Sequence, residues 1–574
     1  MEIPRPEHPN PQFQRSGWRN LNGVWQFAID QENSGEEKGF FLPDHSLPSE
    51  IMVPFCPESR LSGIAHKDFL RGVWYKRNIV LSQEECSGHV FLHFGAVDYL
   101  CRVYINGILA GAHKGGYVSF QFDITKLVHP GENCIAVFAQ DETRDPMIPS
   151  GKQSSRYEST GCYYTRTTGI WQTVWLEFTP QDYIERVEYE PASSGQSVTI
   201  RTWLHGSGIF RAEASFDDRP MGYAQTQTQG GETVLTLLLQ ETHLWDIGQG
   251  NLYDLKLTFG EDTVQSYFAI RTICLKNGCF YLNQRPVFQR LVLDQGFYPD
   301  GIYTAPTDEA LAQDIDLSMK MGFNGARLHE KVFEQRFLYH CDRKGYMVWG
   351  EYPNWGLDHT DPMAIYAMLP EWLEILRRDC NHPSIIGWCP FNETGDLNDR
   401  KQYDELLRLV YRTIKAVDPG RPCIDSSGWF HVETDIFDVH NYDQEPTEFK
   451  GKYDRLATEN VLFDNFPEGS SLLGRQQYAG EPVMVSELGG IQWSRDEHGW
   501  GYGQAPTSES EFRSRLKGLV DALLDNPRMM GFCYTQLTDV EQEQNGLYTY
   551  ERQPKLDPAW VKRVVSRSAV IERT

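Results

Sequence analysis

The chain has 574 residues and a formal net charge of −25, so it outgrows a single hydrophobic core and predicts two to four domains. That acidity argues against nucleic acid and anionic membrane as partners, and neither a signal peptide nor a bilayer-spanning apolar run is visible. Twelve cysteines without a C-x-x-C pair, many inside apolar runs, predict free buried thiols in a reducing, cytoplasmic setting.

From about Trp18 to Phe178 the pattern is strands broken by Gly, Pro, Asn and Asp. His89 to Phe94 and Arg102 to Ile105 are β-rich, and Asn106-Gly107 is a hairpin turn. Residues 1–180 therefore read as a jelly-roll β-sandwich. Residues 181–273 continue as shorter strands, among them Ser197 to Ile200 and Thr233 to Leu237, and suit an immunoglobulin-like sandwich. Over residues 274–574 strands alternate with helices. Arg290 to Leu293 opens as a strand, Thr307 caps a helix that stops at Gly322, and a second helix runs from Phe333 to Lys344. Further strands fall at Gly325 to Leu328, Tyr346 to Trp349, Ile385 to Cys389, Pro422 to Asp425, Phe437 to Val439, Val483 to Val485 and Met530 to Tyr534. Eight strands with intervening helices predict a (β/α)8 TIM barrel, whose active site lies at the C-terminal strand ends.

Two of these strands end on a glutamate: Ile385-Ile386-Gly387-Trp388-Cys389-Pro390-Phe391-Asn392-Glu393 and Val483-Met484-Val485-Ser486-Glu487. Burying an unpaired carboxylate is costly, so two glutamate-tipped strands in one barrel point to a pair converging on one cleft, as glycoside hydrolysis requires. Two unrelated glutamates in ordinary ion pairs are the competing reading. Asp294, Arg327, His329, Glu351, Asn392, His440, Asn441 and Tyr442 fall at the same rim. Trp388 and the loop tryptophans Trp355, Trp429 and Trp493 are candidates to shape the pocket or stack on a ligand, with core packing as the alternative. No metal site is expected, because the rim histidines are dispersed. No Gly-rich phosphate loop follows a strand, so no nucleotide cofactor is expected either.

Leu21-Asn22-Gly23-Val24-Trp25, Gly72-Val73-Trp74-Tyr75, Val103-Tyr104-Ile105-Asn106-Gly107 and Thr168-Gly169-Ile170-Trp171 resemble the sugar-binding domain of glycoside hydrolase family 2. Asn324-Gly325-Ala326-Arg327-Leu328-His329 with Asp342 to Trp349, Asn392-Glu393, and Ser486-Glu487 resemble that family's barrel motifs, in the same order. The resemblance implies a retaining exo-glycosidase with Glu393 as acid/base and Glu487 as nucleophile. It implies further that Asn392 binds the hydroxyl beside the anomeric carbon, that Arg327 and Tyr442 orient Glu487, and that His329, His440 and Asp294 contact sugar hydroxyls. Homo-oligomers built through the sandwich domains are the family's habit.

The β-glucuronidases of this family hold the substrate carboxylate with an Asn-x-Lys motif after the last strand. Here Glu541 to Tyr548 contains two acids and no lysine, which would repel an anionic sugar. A neutral sugar, first a β-galactoside, is therefore expected. An α-L-arabinofuranoside or β-galactofuranoside comes second, and a glucuronide is demoted. A non-catalytic carbohydrate-binding protein is the alternative from another class; it would have lost one carboxylate, and both are present.

Overall fold

A computed structural model describes residues 3–397, 399–463, 471–494 and 499–573. Within the first sandwich, a six-stranded sheet and a four-stranded sheet share one apolar core. The hairpin joining Leu100–Ile105 to Ile108–Lys114 turns on Asn106 and Gly107, both at positive φ, as a type I′ turn requires. The second sandwich packs a three-stranded sheet on a four-stranded one around its own core. Tyr253–Phe259 shows why it forms: every second residue is buried, so one face of the strand meets the core and the other meets water.

Ahead of the barrel stands an unexpected three-stranded meander, Ile273–Lys276, Cys279–Leu282 and Arg285–Val287. Its Phe280, Leu282 and Val287 belong to the barrel's core. The turn dipeptide Asn277-Gly278, with both residues at positive φ, was the available signal.

The barrel sheet holds seven parallel strands: β1 (Gln289–Asp294), β2 (Gly325–Leu328), β3 (Met347–Glu351), β4 (Ile385–Cys389), β5 (Phe437–Asn441), β6 (Val483–Gly489) and β7 (Met529–Thr535). Their order is β4-β3-β2-β1-β7-β6-β5. The strand expected at Pro422 to Asp425 is reduced to a single parallel bridge between Trp388 and Cys423. The reason is local. Pro422 has no N–H, and the Cys423 amide and carbonyl bond to the Asp435 carboxylate and amide at 2.9 and 3.0 Å instead of to a ladder. A second bridge, Asn392 to Ser427, carries the closure up to the rim. The first barrel helix, α1 (Asp308–Lys320), is capped by Thr307 as expected. The next, α2 (Gln335–Lys344), begins two residues later than predicted.

The domains are tied together by buried charge. Arg15 pairs with Glu177 of the first sandwich at 2.7 Å and Asp262 of the second at 2.8 Å. Arg5 reaches Glu334 of the barrel at 2.8 Å.

Where the first sandwich meets α3 (Ala364–Asp379), the carboxyls of Glu58, Asp98, Asp141 and Glu371 are all buried. Glu371 accepts from the Tyr117 amide at 2.8 Å and the Tyr352 hydroxyl at 2.9 Å. Burial pushes Glu371 and Asp141 up to about 8 and Glu58 to about 7. These groups hold protons in the folded chain that the unfolded chain has released above about pH 4. Their contribution is therefore complete below that pH and is lost as pH rises through about 7 to 8. The melting temperature should fall between pH 6 and pH 9, and Glu371→Gln should flatten the fall. A melting profile that is level over that range would refute the assignment.

Candidate active site

β4, β5 and β6 deliver the site's principal groups. A barrel strand alternates its side chains between the interior and the helix layer, and that alternation sorts the rim residues. His440 and Tyr442 face the cleft, whereas Asn441 between them turns outward and donates to the Tyr453 hydroxyl of α4 (Pro446–Glu459) at 3.2 Å. Trp388 likewise faces the helices. It packs edge-on against Trp372 and donates to Asp418 at 2.9 Å. Neither Asn441 nor Trp388 belongs in a sugar pocket, contrary to expectation.

Glu393 and Glu487 do converge. One oxygen of each and a ring nitrogen of His440 lie within 4.8 Å of one another. Inverting hydrolysis needs about 6.5 to 9.5 Å between carboxyls to admit a water, and retaining hydrolysis about 5 to 5.5 Å. The spacing here is the retaining one.

Glu487 is 4 % exposed. It accepts from Arg327 Nη1 at 3.1 Å and from the Tyr442 hydroxyl. Burial alone would raise its pKa, but His440, Arg327 and Lys152 outweigh it and pull the carboxyl down to about 2. Glu487 is thus a buried, ionised carboxylate with nothing to protonate it at neutral pH. Tyr442 is held by stacking on Tyr502 at 3.5 Å. Gly490, at φ +56°, makes this possible, since a Cβ there would fall 2.4 Å from the Tyr502 ring.

Glu393 stands at φ 46°, a strained conformation for a side-chain-bearing residue. Its amide donates to the Ser427 carbonyl at 2.9 Å, which anchors the strained turn. Its Oε1 meets His440 Nδ1 at 2.6 Å. The other ring nitrogen of His440 meets the Ser427 hydroxyl at 2.9 Å and lies 3.5 Å from Glu487. Burial lowers the imidazole's pKa, yet the Glu487 and Glu393 carboxylates prevail and hold it above its ordinary value. His440 therefore links the two carboxylates as a shared proton-bearing group.

Arg327, 1 % exposed, organises the floor. Nε donates to Glu351 at 2.7 Å, Nη1 to the Ser486 carbonyl at 2.9 Å, and Nη2 to Asn392 Oδ1 at 3.2 Å. Fixing Oδ1 leaves the Asn392 Nδ2 as its donor toward a ligand. Glu351 also accepts from His329 Nδ1 at 3.1 Å and the Glu330 amide at 3.2 Å, so its oxygens are occupied and it supports its neighbours. Asp294 accepts from the Gly296 amide at 2.9 Å and lies in the company of Asp314, Arg552 and Lys331. Trp493 packs against Phe512 on the barrel wall, whereas the Trp355 indole donates to the Asn392 carbonyl at 3.0 Å beside the cleft.

Sequence reasoning missed Ser427, Tyr502 and Glu543. Glu543 sits at the mouth and is 2 % exposed. It accepts from the Tyr164 hydroxyl of the first sandwich at 2.5 Å and from Asn545 at 3.0 Å, and burial raises its pKa. Glu393, His440 and Glu487 could in principle offer ligands to a cation. The oxygens of Glu487 already accept from Arg327 and Tyr442, and the positive charge beside them disfavours another cation.

Comparison with known proteins gives the same picture. The family model "Glycosyl hydrolases family 2, sugar binding domain" matches residues 64–180, and "Glycosyl hydrolases family 2, TIM barrel domain" matches residues 273–457. A β-glucuronidase of Pongo abelii is 25% identical over 463 residues, which is 72% of this chain and 69% of that protein. A β-galactosidase of Leuconostoc mesenteroides is 26% identical over 464 residues, 70% of this chain and 42% of that one. Among solved structures, a Lactobacillus rhamnosus β-glucuronidase superposes with a TM-score of 0.79 at 20% identity, covering 99% of this chain and all of its own. At that identity the likeness speaks for the fold.

Proposed function

The chain belongs to glycoside hydrolase family 2, and from that premise we propose a retaining exo-glycosidase acting on a neutral terminal sugar, most simply a β-galactoside. Glu487, ionised and oriented by Arg327 and Tyr442, attacks the anomeric carbon and forms the glycosyl-enzyme. Glu393 protonates the departing glycosidic oxygen, and the same group then takes a proton from the water that releases the sugar. His440 lies between them, hydrogen-bonded to Glu393 at 2.6 Å and 3.5 Å from Glu487, and fixes the orientation of the acid/base. Asn392 Nδ2 is the donor for the neighbouring hydroxyl, where contact strengthens in the transition state.

The observation that carries the choice of sugar is Glu543. A buried carboxyl stands in the stretch where the glucuronidase resemblance would put a carboxylate-binding lysine motif. An anionic sugar would meet repulsion there. The second reading, a glucuronide, draws on the names of several relatives and on the Lys152 ammonium, which bears on Glu543 from the first sandwich. The twelve free cysteines support a reducing, cytoplasmic location.

The deciding experiment is kcat/KM on 4-nitrophenyl β-D-galactoside, β-D-glucuronide, α-L-arabinofuranoside and β-D-galactofuranoside. Galactoside should exceed glucuronide by on the order of 100-fold or more. A glucuronide preferred over every neutral glycoside would overturn the neutral-sugar reading.

A further inference from the structure

The reaction described above uses barrel residues alone, yet a buried cation from the first sandwich lies in the same mouth. Lys152 is 5 % exposed and belongs to the long loop between strands Gly131–Gln140 and Gly169–Ile170. Backbone bonds on both sides fix its place. The Ser150 and Gly151 amides donate to the Trp355 carbonyl at 2.7 and 3.0 Å, and the Lys152 carbonyl accepts from the Tyr164 amide at 2.7 Å. Gly151 has φ +54°, and a Cβ there would fall 2.6 Å from the Glu330 carbonyl oxygen, so a glycine lets the loop press this closely on the barrel.

The ammonium itself is differently provided for. It lies 3.7 Å from the centre of the Trp355 ring, the indole that donates to the Asn392 carbonyl. It has no hydrogen-bond or ion-pair partner among the described residues. An ammonium carries three donors, and a cation–π contact engages its charge while leaving those donors unmet. The carboxyls that bear on it are those of Glu543, Glu487 and Glu330, all beyond ion-pair range, along with the Cys162 thiol. Glu487 is already bonded to Arg327 and Tyr442. Glu330 accepts from the Trp355 amide at 3.1 Å on one oxygen, and its other oxygen is buried without a partner. Glu543 is steadied by Tyr164 and Asn545, one on each oxygen, and each oxygen keeps a second lone pair.

An unmet donor over the Trp355 ring and an acceptor held by Tyr164, beyond ion-pair range of each other, are suited to a group that is both. We propose that Lys152 is a substrate-binding residue, its ammonium donating to one hydroxyl of a neutral sugar while the Glu543 carboxylate accepts from that same hydroxyl. The assignment rests on the neutral-sugar reading. It moves part of the sugar's recognition from the barrel to the sandwich, and it explains why the cation is kept buried and unpaired.

The test uses the full-length protein, the aryl glycoside that wild type cleaves best, and that glycoside's monodeoxy analogues. Lys152→Met should lower kcat/KM on the parent by on the order of 100-fold. On the one analogue lacking the hydroxyl it contacts, variant and wild type should agree within about threefold, while the other analogues keep the full gap. Lys152→Arg should restore part of the loss, and Glu543→Gln should lose sensitivity to the same deoxy position. Lys152→Met should stay folded, with its circular dichroism spectrum unchanged and a lower melting temperature, because Glu543, Glu487 and Glu330 lose the cation whose charge bears on them. An equal loss on every analogue, or no loss on the parent, overturns the proposal while leaving a neutral-sugar hydrolase standing. A glucuronide as the best substrate, with the Lys152→Met loss confined to it, overturns both readings.

Discussion

Glu487→Gln is expected to lower kcat on an aryl glycoside by on the order of 10⁵-fold, with the circular dichroism spectrum unchanged. The substitution keeps the side chain's size and its contacts with Arg327 and Tyr442 in altered form, and removes the electron pair that would bond to carbon. The fold should tolerate it, because Arg327 retains Glu351 at 2.7 Å as its principal counter-ion. Azide then separates the two glutamates by stereochemistry. With Glu487→Ala, azide enters the face the nucleophile has vacated and should give the glycosyl azide of inverted configuration. With Glu393→Ala the glycosyl-enzyme still forms from an activated aryl glycoside, and azide should displace it to give the retained product. The reverse pair of products would exchange the two roles. More than about one per cent residual turnover in Glu487→Gln would remove Glu487 as the nucleophile.

Arg327→Met should be the most destabilising single change at the site. Arg327 is the shared partner of Glu351 and Glu487, both nearly sealed from solvent. Deleting one member of a buried charge network leaves the others uncompensated, at a cost of about 3 to 5 kcal/mol. In wild type the Glu487 carboxyl is held down to about 2. Its stabilising contribution is therefore present above the unfolded value of about 4.3 and is lost as pH falls through about 2. Without the guanidinium Glu487 loses one of the positive charges that hold its carboxyl down, so the variant's deficit is greatest at neutral pH and shrinks on acidification. Denaturant titrations at pH 7 and pH 4.5 measure this, and a loss under about 1 kcal/mol at pH 7 would show that the network is not what holds this floor. Arg327→Lys should not rescue activity, since one ammonium cannot serve Glu351, Ser486, Glu487 and Asn392 in their fixed directions.

The strand ends were legible because a carboxylate after an apolar run is a local anomaly, and a barrel brings such anomalies to one rim. Glu393, Glu487, Arg327, His440 and Tyr442 meet as their positions implied. Trp388 and Asn441 did not, for a geometric reason. In a strand covered on both faces each neighbour is buried in turn, so hydrophobicity cannot tell the interior from the helix layer. Once His440 is placed inside, alternation alone sends Asn441 out. The strand at Pro422 to Asp425 shrank to one bridge because the Cys423 amide goes to the Asp435 carboxylate, a side-chain competition that propensity does not see. Lys152 left no trace at all. It carries no motif, and the Trp355 ring under its ammonium lies about 200 residues downstream.

That distance has a consequence in time. Tyr164 and Glu543, which clasp the sandwich loop to the barrel mouth, are 379 positions apart in the chain. At ribosomal rates of about 5 to 20 residues per second, roughly 20 to 80 seconds separate their synthesis. Throughout that interval the sandwich can fold, but its Lys152 loop has no Trp355 carbonyl, and later no Glu543, to close against. The sugar pocket is thus completed last, and a nascent polypeptide stalled just before the final barrel strand carries most of the chain without the Glu543 that closes the mouth.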